Sequence, residues 1–252
     1  MNPSGQGRED RIGSMDRIGS IGADAAEVYE ALWKEVAHAH TKWTEAMVLF
    51  GRGDERIGFL NRTAPNFFGL LQLVMWRDMA LHLSRLVDPP EMGGQENLTI
   101  DRLLPFVTDE SSRSGIEQLI DEAKKAAAFS KPFRNKLLAH TDLKFALGKQ
   151  TSPLPVATLQ SVTDCLAAMG KLLNAFALHL GAPHTMFQVV GPIGGAEELL
   201  RLLAIGIETE DQRDREMLGR VKAADNARLQ CASTMSGTDA AAHPGKIDPE
   251  MP

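Results

Sequence analysis

From Ala25 onward, apolar residues return every three or four positions: Ala25, Val28, Leu32, Val36, Ala39, Trp43, Met47 and Phe50 open the series. Side chains at that interval share one face of an α-helix, which turns once in about 3.6 residues. The alternation of aromatic and β-branched residues that marks a half-buried strand is missing from nearly the whole chain. The pattern predicts an all-α fold, a helical bundle.

The first series predicts a helix near 24–50, ended by a Gly- and Arg-rich loop from Gly51 to Gly58. A second, about 62–87, is apolar almost all round (Phe67, Phe68, Leu70, Leu71, Leu73, Val74, Met75, Trp76, Met79), a profile that belongs in the centre of a bundle. Asp88-Pro89-Pro90 stops it, because proline cannot continue the backbone ladder. A short helix is expected over 98–106 and a long segment over 112–147. In that segment Ser130 as N-cap and Pro132 in the first turn imply a kink or a fresh start. A Pro-containing loop at 152–155 leads to a helix near 156–181. Met186 to Val190 could be extended, and Gly194-Gly195 open a last helix, 196–223.

Both ends differ in composition. Residues 1–21 are rich in Gly and Ser and contain a direct duplication, Asp10–Ser14 and Asp16–Ser20, with Met15 between the copies as a possible alternative start. Such a segment buries too little apolar surface to offset its ordering entropy and is expected to be disordered, as is a tail over 232–252. Between them, 22–205 is expected to form the main helical domain and 206–231 a charged helical extension.

The net charge of −6 excludes a general nucleic-acid coating protein, whose basic faces raise the pI well above that of this chain. The charge is uneven: residues 113–149 hold eight Lys/Arg and four Asp/Glu, a local +4 that leaves −10 elsewhere. A polyanion would dock there, although a solvated helix face explains the excess as well. Cys165 and Cys231 form no CxxC pair and no metal-ligand spacing, so no metal is expected, and a reducing cytoplasm fits. No apolar run reaches the ~18 residues of a membrane span.

The positive segment contains Lys131-Pro-Phe-Arg-Asn-Lys-Leu-Leu-Ala-His-Thr-Asp142. It puts a permanent cation (Arg134), an amide (Asn135) and a near-neutral imidazole (His140) in one short stretch, types that serve phosphate and ribose-hydroxyl chemistry. Spacing alone proves nothing: with 16 Arg and 7 His, chance gives roughly 1.3 such pairs over three allowed spacings. The chain has two, and Arg77 to His82 is the other.

The run Arg-Asn-Lys-Leu-Leu-Ala-His-Thr-Asp resembles the signature of the HEPN superfamily, an arginine followed by a polar residue and then four to six positions to a histidine. The order of elements extends the likeness: a long helix ending Arg85-Leu-Val-Asp88-Pro89, a variable connection, the signature helix, then an amphipathic helix. This arrangement is similar to the abortive-infection, AbiU-like branch and covers about 22–205. The resemblance implies a HEPN-like bundle, RNA as partner, a homodimer, and a metal-independent endoribonuclease in phage defence or a toxin–antitoxin-like system, with an antitoxin or regulatory protein possible. It equally allows a non-catalytic module that binds RNA, a nucleotide or a protein; a plain helical scaffold is a third reading. No cofactor is expected.

Positions six apart on a straight helix point about 120° away from each other. Arg134 and His140 can share one site only if the helix bends or ends between them, or if a second subunit completes it. In such a site Arg134 would hold the scissile phosphate and His140 would move a proton at the ribose 2′-hydroxyl or the leaving oxygen, with Asn135 assisting.

On the second helix Asp78, His82 and Arg85 fall within about 60° of arc, with Arg77 about 80° further round. Buried charge is costly unless paired. The stripe is either an internal network, Asp78–His82 or Asp78–Arg85, or a supporting layer behind Arg134 and His140. His38 and His40, two apart, face different ways and make a poor metal pair. The Gly191–Gly195 loop lacks the lysine of a phosphate-binding loop and reads as a helix start.

Overall fold

A computed structural model of the chain describes residues 22–135, 147, 158–187 and 192–237, with side chains up to residue 230. The fold is all-α. In chain order the elements are α1 (Ala23–Phe50), α2 (Asp54–Thr63), α3 (Pro65–Leu86), a two-residue hairpin of β1 (Glu91–Met92) and β2 (Gln95–Glu96), a 3-10 segment (Ile100–Phe106), α4 (Glu110–Ala126), α5 (Ser130–Phe133), α6 (Leu159–His179) and α7 (Ala196–Gly237). The described residues divide into two compact units, one ending at Glu198 and the other beginning at Leu199.

In the first unit α1 buries Ala25, Tyr29, Leu32, Val36, Ala39, Trp43 and Ala46, a 4-3-4-3 series that keeps one seam facing inward along the helix. α6 answers with Val162, Leu166, Met169, Leu172, Leu173 and Phe176, and α4 with Ile116, Ile120 and Ala123. Polar groups that enter the core are paired. Trp43 Nε1 donates to Thr163 Oγ1 at 3.0 Å, tying α1 to α6, and Trp33 Nε1 donates to Thr185 Oγ1 at 3.2 Å.

Helix starts follow capping chemistry. Asp109 accepts from the Ser112 N–H at 2.8 Å before α4, and Thr158 and Ser161 form a reciprocal capping box before α6. Ser130 departs from its expected N-cap role. It is the first residue of α5, buried, and its Oγ donates back to the Ala127 carbonyl at 2.7 Å. The break between α4 and α5 falls where the sequence places it, and Pro132 sits inside the new turn.

Two further expectations are corrected. The loop after α1 is only residues 51–53; the polar stretch behind it forms α2, which buries Leu60 alone and is hard to read from apolar spacing. The last helix continues past 223 to Gly237. Residues 182–187 are irregular, held to α6 by the two hydrogen bonds between Asn174 and the Thr185 backbone at 2.7 and 2.9 Å. The loop at 152–155 and residues 188–190 lie outside the described residues.

The largest correction concerns α3. Its C-terminal half is buried through Met79, Ala80, Leu83 and Leu86. Its N-terminal half is not central: Phe67 is 58% exposed, Leu70 62%, Leu73 44% and Val74 52%. In this half Phe68 is the one fully buried residue, with Met75 partly buried against the core. The all-round apolar pattern therefore reflects two environments in series.

Candidate functional site

The site is built where α3 ends. Val87 and Asp88 continue the chain inward, both buried, before Pro89 and Pro90 turn it out. The hairpin fixes this corner. Gly93 and Gly94 take positive φ (61° and 76°), the left-handed pair that a tight two-residue hairpin turn requires. The returning strand brings Asn97 back: its side chain donates to the Pro89 carbonyl at 2.9 Å and its backbone N–H to the Pro90 carbonyl at 2.8 Å. Arg102 closes the loop on the Asn97 and Pro90 carbonyls at 3.1 and 2.6 Å. Asp88 is thus carried on a backbone whose polar groups are used up internally.

Its carboxylate meets Arg134. Nη1 of Arg134 donates to both Asp88 oxygens, and Nε donates to Asn135 Oδ1 at 3.1 Å. The side chains are 20% and 9% exposed, so the pair is largely out of water. Arg134 directly follows α5 and keeps helical backbone angles (φ −55°, ψ −51°). The short helix α5 and the C-terminal half of α3 pack together, which is what brings residues 46 apart in sequence into contact. Asn135 is exposed beside the guanidinium. His140 lies outside the described residues.

A polar cavity of about 250 Å³ adjoins Asp88, lined by Glu35, His82, Arg85, Leu86, Asp88, Glu96, Asn97 and Leu98. Of the α3 stripe, His82 and Arg85 therefore reach the neighbourhood of Arg134. Arg77 and Asp78 are exposed, one to two turns back along the helix. The stripe pairs with α1 rather than within itself: Asp78 takes Lys42 Nζ at 2.6 Å, and His82 Nε2 stands 3.0 Å from Glu35 Oε2. Neither the Asp78–His82 nor the Asp78–Arg85 pair expected from sequence is formed among the described contacts, because α1 packs against this face and offers its own charges first. The His82 contact is out of line for a hydrogen bond, and Nε2 has no aligned partner among the described residues. Burial, with Lys42 adding to it, lowers the His82 pKa from its ordinary 6.5, against the opposing pull of Glu35 and Asp78. The ring is therefore held neutral.

Sequence reasoning missed Asp88 as a site residue and missed Glu35 and Asn97 entirely. Asp88 had a signal: a carboxylate placed directly before two prolines at the end of a buried helix needs a cation. Among the described residues no group of three His, Cys, Asp or Glu side chains is arranged to hold a metal ion, and no helix is long and apolar enough to cross a membrane. Cys165 is buried in the core, which pushes its thiol up to about 12 and leaves it inert.

An all-α bundle carrying an arginine-asparagine pair at a helix break defines the class suggested by the sequence signature. Residues 23–198 match the family model HEPN_AbiU2, described as AbiU2, and the chain belongs to this family of the HEPN superfamily. No curated protein and no solved structure matches it.

Proposed function

We propose that this HEPN protein is a metal-independent endoribonuclease that acts as a homodimer in phage defence or a toxin–antitoxin-like system, where an antitoxin or regulatory protein restrains it. Arg134 holds the scissile phosphate and Asn135 helps orient it. The ribose 2′-oxygen attacks phosphorus, the bond to the 5′-oxygen breaks, and the ends are a 2′,3′-cyclic phosphate and a 5′-hydroxyl. His140 takes the 2′-hydroxyl proton or supplies one to the leaving oxygen.

The observation that carries this reading is the setting of Arg134. A guanidinium held by a largely buried carboxylate through Nη1 is oriented before substrate arrives, and a preoriented cation stabilises developing phosphate charge without reorganising. The exposed Phe67, Leu70, Leu73 and Val74 support the dimer, since a contiguous apolar patch on a helix is characteristic of an interaction surface.

The test is incubation of purified protein with mixed RNA in excess chelator, with product ends analysed for cyclic phosphate. Wild type should cut; His140→Ala should not, while keeping its circular dichroism spectrum. Intact RNA with a folded dimer would sink the reading. The second reading is an RNA-binding module, favoured by the same Asp88 contact, since a paired arginine also suits a docking role. It predicts salt-dependent RNA retention, weakened by Arg134→Ala, with no products.

A further inference from the structure

A second cavity, far larger than the one beside Asp88, opens between α1 and α6. It measures about 1010 Å³, at the upper end of the ~300–1,000 Å³ expected of a small-molecule site. One wall is the α1 series His40, Trp43, Thr44, Met47 and Val48, continued by Arg52 of the following loop; the other is an α6 series from Thr163 to Leu178, and residues 182–187 close one side. From His40 to Val48 the helical wall extends about 12 Å at 1.5 Å per residue. The groove is long and predominantly apolar.

Its floor is shaped for occupancy by something apolar. Gly170 lets the Phe187 ring lie against α6, where a Cβ would meet that ring at 3.1 Å. Phe187 stacks on His40 with centroids 5.5 Å apart. Burial lowers the His40 pKa from 6.5, so the floor carries no charge near neutrality. Met47 and Met186 add unbranched side chains that adapt to an irregular occupant. Leu178 and Met186 stand at the rim, 77% and 80% exposed.

The charges are one-sided. Arg52 and Lys171 line the groove and, among the described residues, no carboxylate does, in a chain with more acids than bases. Arg52 and Lys171 lean outward to Glu197 at 2.7 Å and Glu122 at 3.0 Å. In both pairs the side chains are exposed, and such ion pairs contribute little and are readily exchanged.

We propose that this groove binds an anionic amphiphile with a single alkyl chain, its methylenes between α1 and α6 and its acidic head at Arg52, at one end of the groove. The site is separate from Arg134 and does not depend on the ribonuclease reading.

The experiment uses the full chain and three twelve-carbon probes below their micellar concentrations: laurate, dodecanol and dodecylammonium. Trp43 lines the groove and reports binding by fluorescence; native mass spectrometry counts the ligands. One laurate should bind per chain, more tightly than dodecanol, with dodecylammonium weakest. Shortening the acid should weaken binding roughly three- to fourfold per methylene removed. Ala167→Trp, at an exposed lining position, should cut laurate affinity at least tenfold with the melting temperature kept. The variant Arg52→Glu should erase the preference for the acid over the alcohol. Unsaturable binding, several ligands per chain, no dependence on chain length, or indifference to Ala167→Trp would overturn the proposal. If none of the probes binds, the amphiphile is ruled out and a helical protein partner becomes the better candidate for the groove.

Discussion

Arg77 and Arg134 look alike in sequence: each stands five or six residues ahead of a histidine inside an apolar run. Their surroundings are opposite. Arg77 sits on the exposed face of α3. Arg134 is largely enclosed, with Nη1 on a buried carboxylate and Nε on its neighbour's amide. The difference arises from what the chain brings up from far away. Asp88 reaches Arg134 because a helix ends, two prolines turn the backbone and a hairpin locks the turn, none of which is encoded in the local spacing. An arginine becomes a candidate functional group when the fold supplies the partner that aims it.

The sharpest way to break this comparison is to truncate both. Arg134→Ala should lower RNA cleavage by at least about a hundredfold, the usual cost of losing one preorganised charge donor. It should also cost about 3 kcal/mol of stability, because Asp88 would be left buried and unpaired; for a domain of this size that is a melting-temperature drop of roughly 6–12 °C. Arg77→Ala should change stability by no more than about 0.5 kcal/mol and leave cleavage intact. Equal effects in calorimetry and in the RNA assay would show that the surroundings of the two arginines do not matter.

Asp88→Asn tests the aiming rather than the charge. It keeps the shape and removes the ion pair, so the guanidinium should lose its fixed orientation. Cleavage should fall about tenfold to a hundredfold, chiefly in kcat, while RNA retention on a filter is maintained or improved. A loss confined to KM would point instead to Asp88 shaping the RNA-binding surface.

The two halves of α3 repeat the lesson in apolar terms, and a third prediction sharpens it. Leu70→Glu with Val74→Glu places charges on the exposed half. The proposed dimer should dissociate in sedimentation velocity while each substitution shifts monomer stability by about 0.5 kcal/mol or less. The same exchange at Leu83, which is fully buried, should prevent folding. If Leu70→Glu/Val74→Glu unfolds the chain as well, the half read as exposed is part of the core.

Much of the fold was legible because helix periodicity is a local property. α1, α4 and α6 follow from three- and four-residue spacing, and the break at 127–130 from Ser130 and Pro132. Two features were not. Hydrophobicity alone does not distinguish a core-facing side chain from an exposed one, so Phe67 and Leu83 look equivalent in sequence. α2 is polar and buries only Leu60, so its stability comes from tertiary context that spacing does not record. At the site, Arg134 and Asn135 were legible as a pair of chemical types. Their anchor was not: Asp88 is 46 residues away, and its approach depends on the hairpin and on α3 packing beside α5. The partners of the α3 stripe were missed for the same reason. Lys42 and Glu35 come from α1, and a pairing argument confined to one helix does not include them.

The smallest effect concerns the stripe itself. His82 is 8% exposed, and the charges facing it come from two helices: Glu35, His38 and Lys42 of α1, and Asp78 of α3. Burial and Lys42 lower its pKa in the folded state, so the unfolded chain binds the proton more readily. The stability contributed by the neutral ring is complete above pH 6.5, the ordinary histidine value, and is lost as pH falls below it toward the depressed folded value. His40, also lowered by burial, acts in the same direction. Urea unfolding at pH 8 and pH 5.5 should therefore show the wild type weakening on acidification and His82→Gln weakening less, with the His40 share common to both. The exposed Lys42–Asp78 pair should enter only at the level of a surface ion pair, under about 1 kcal/mol, and fade with salt. If His82→Gln steepens the acid loss, His82 is charged in the folded protein. Glu35 would then govern the ring in place of burial, and the cavity beside Asp88 would hold a cation rather than a neutral donor.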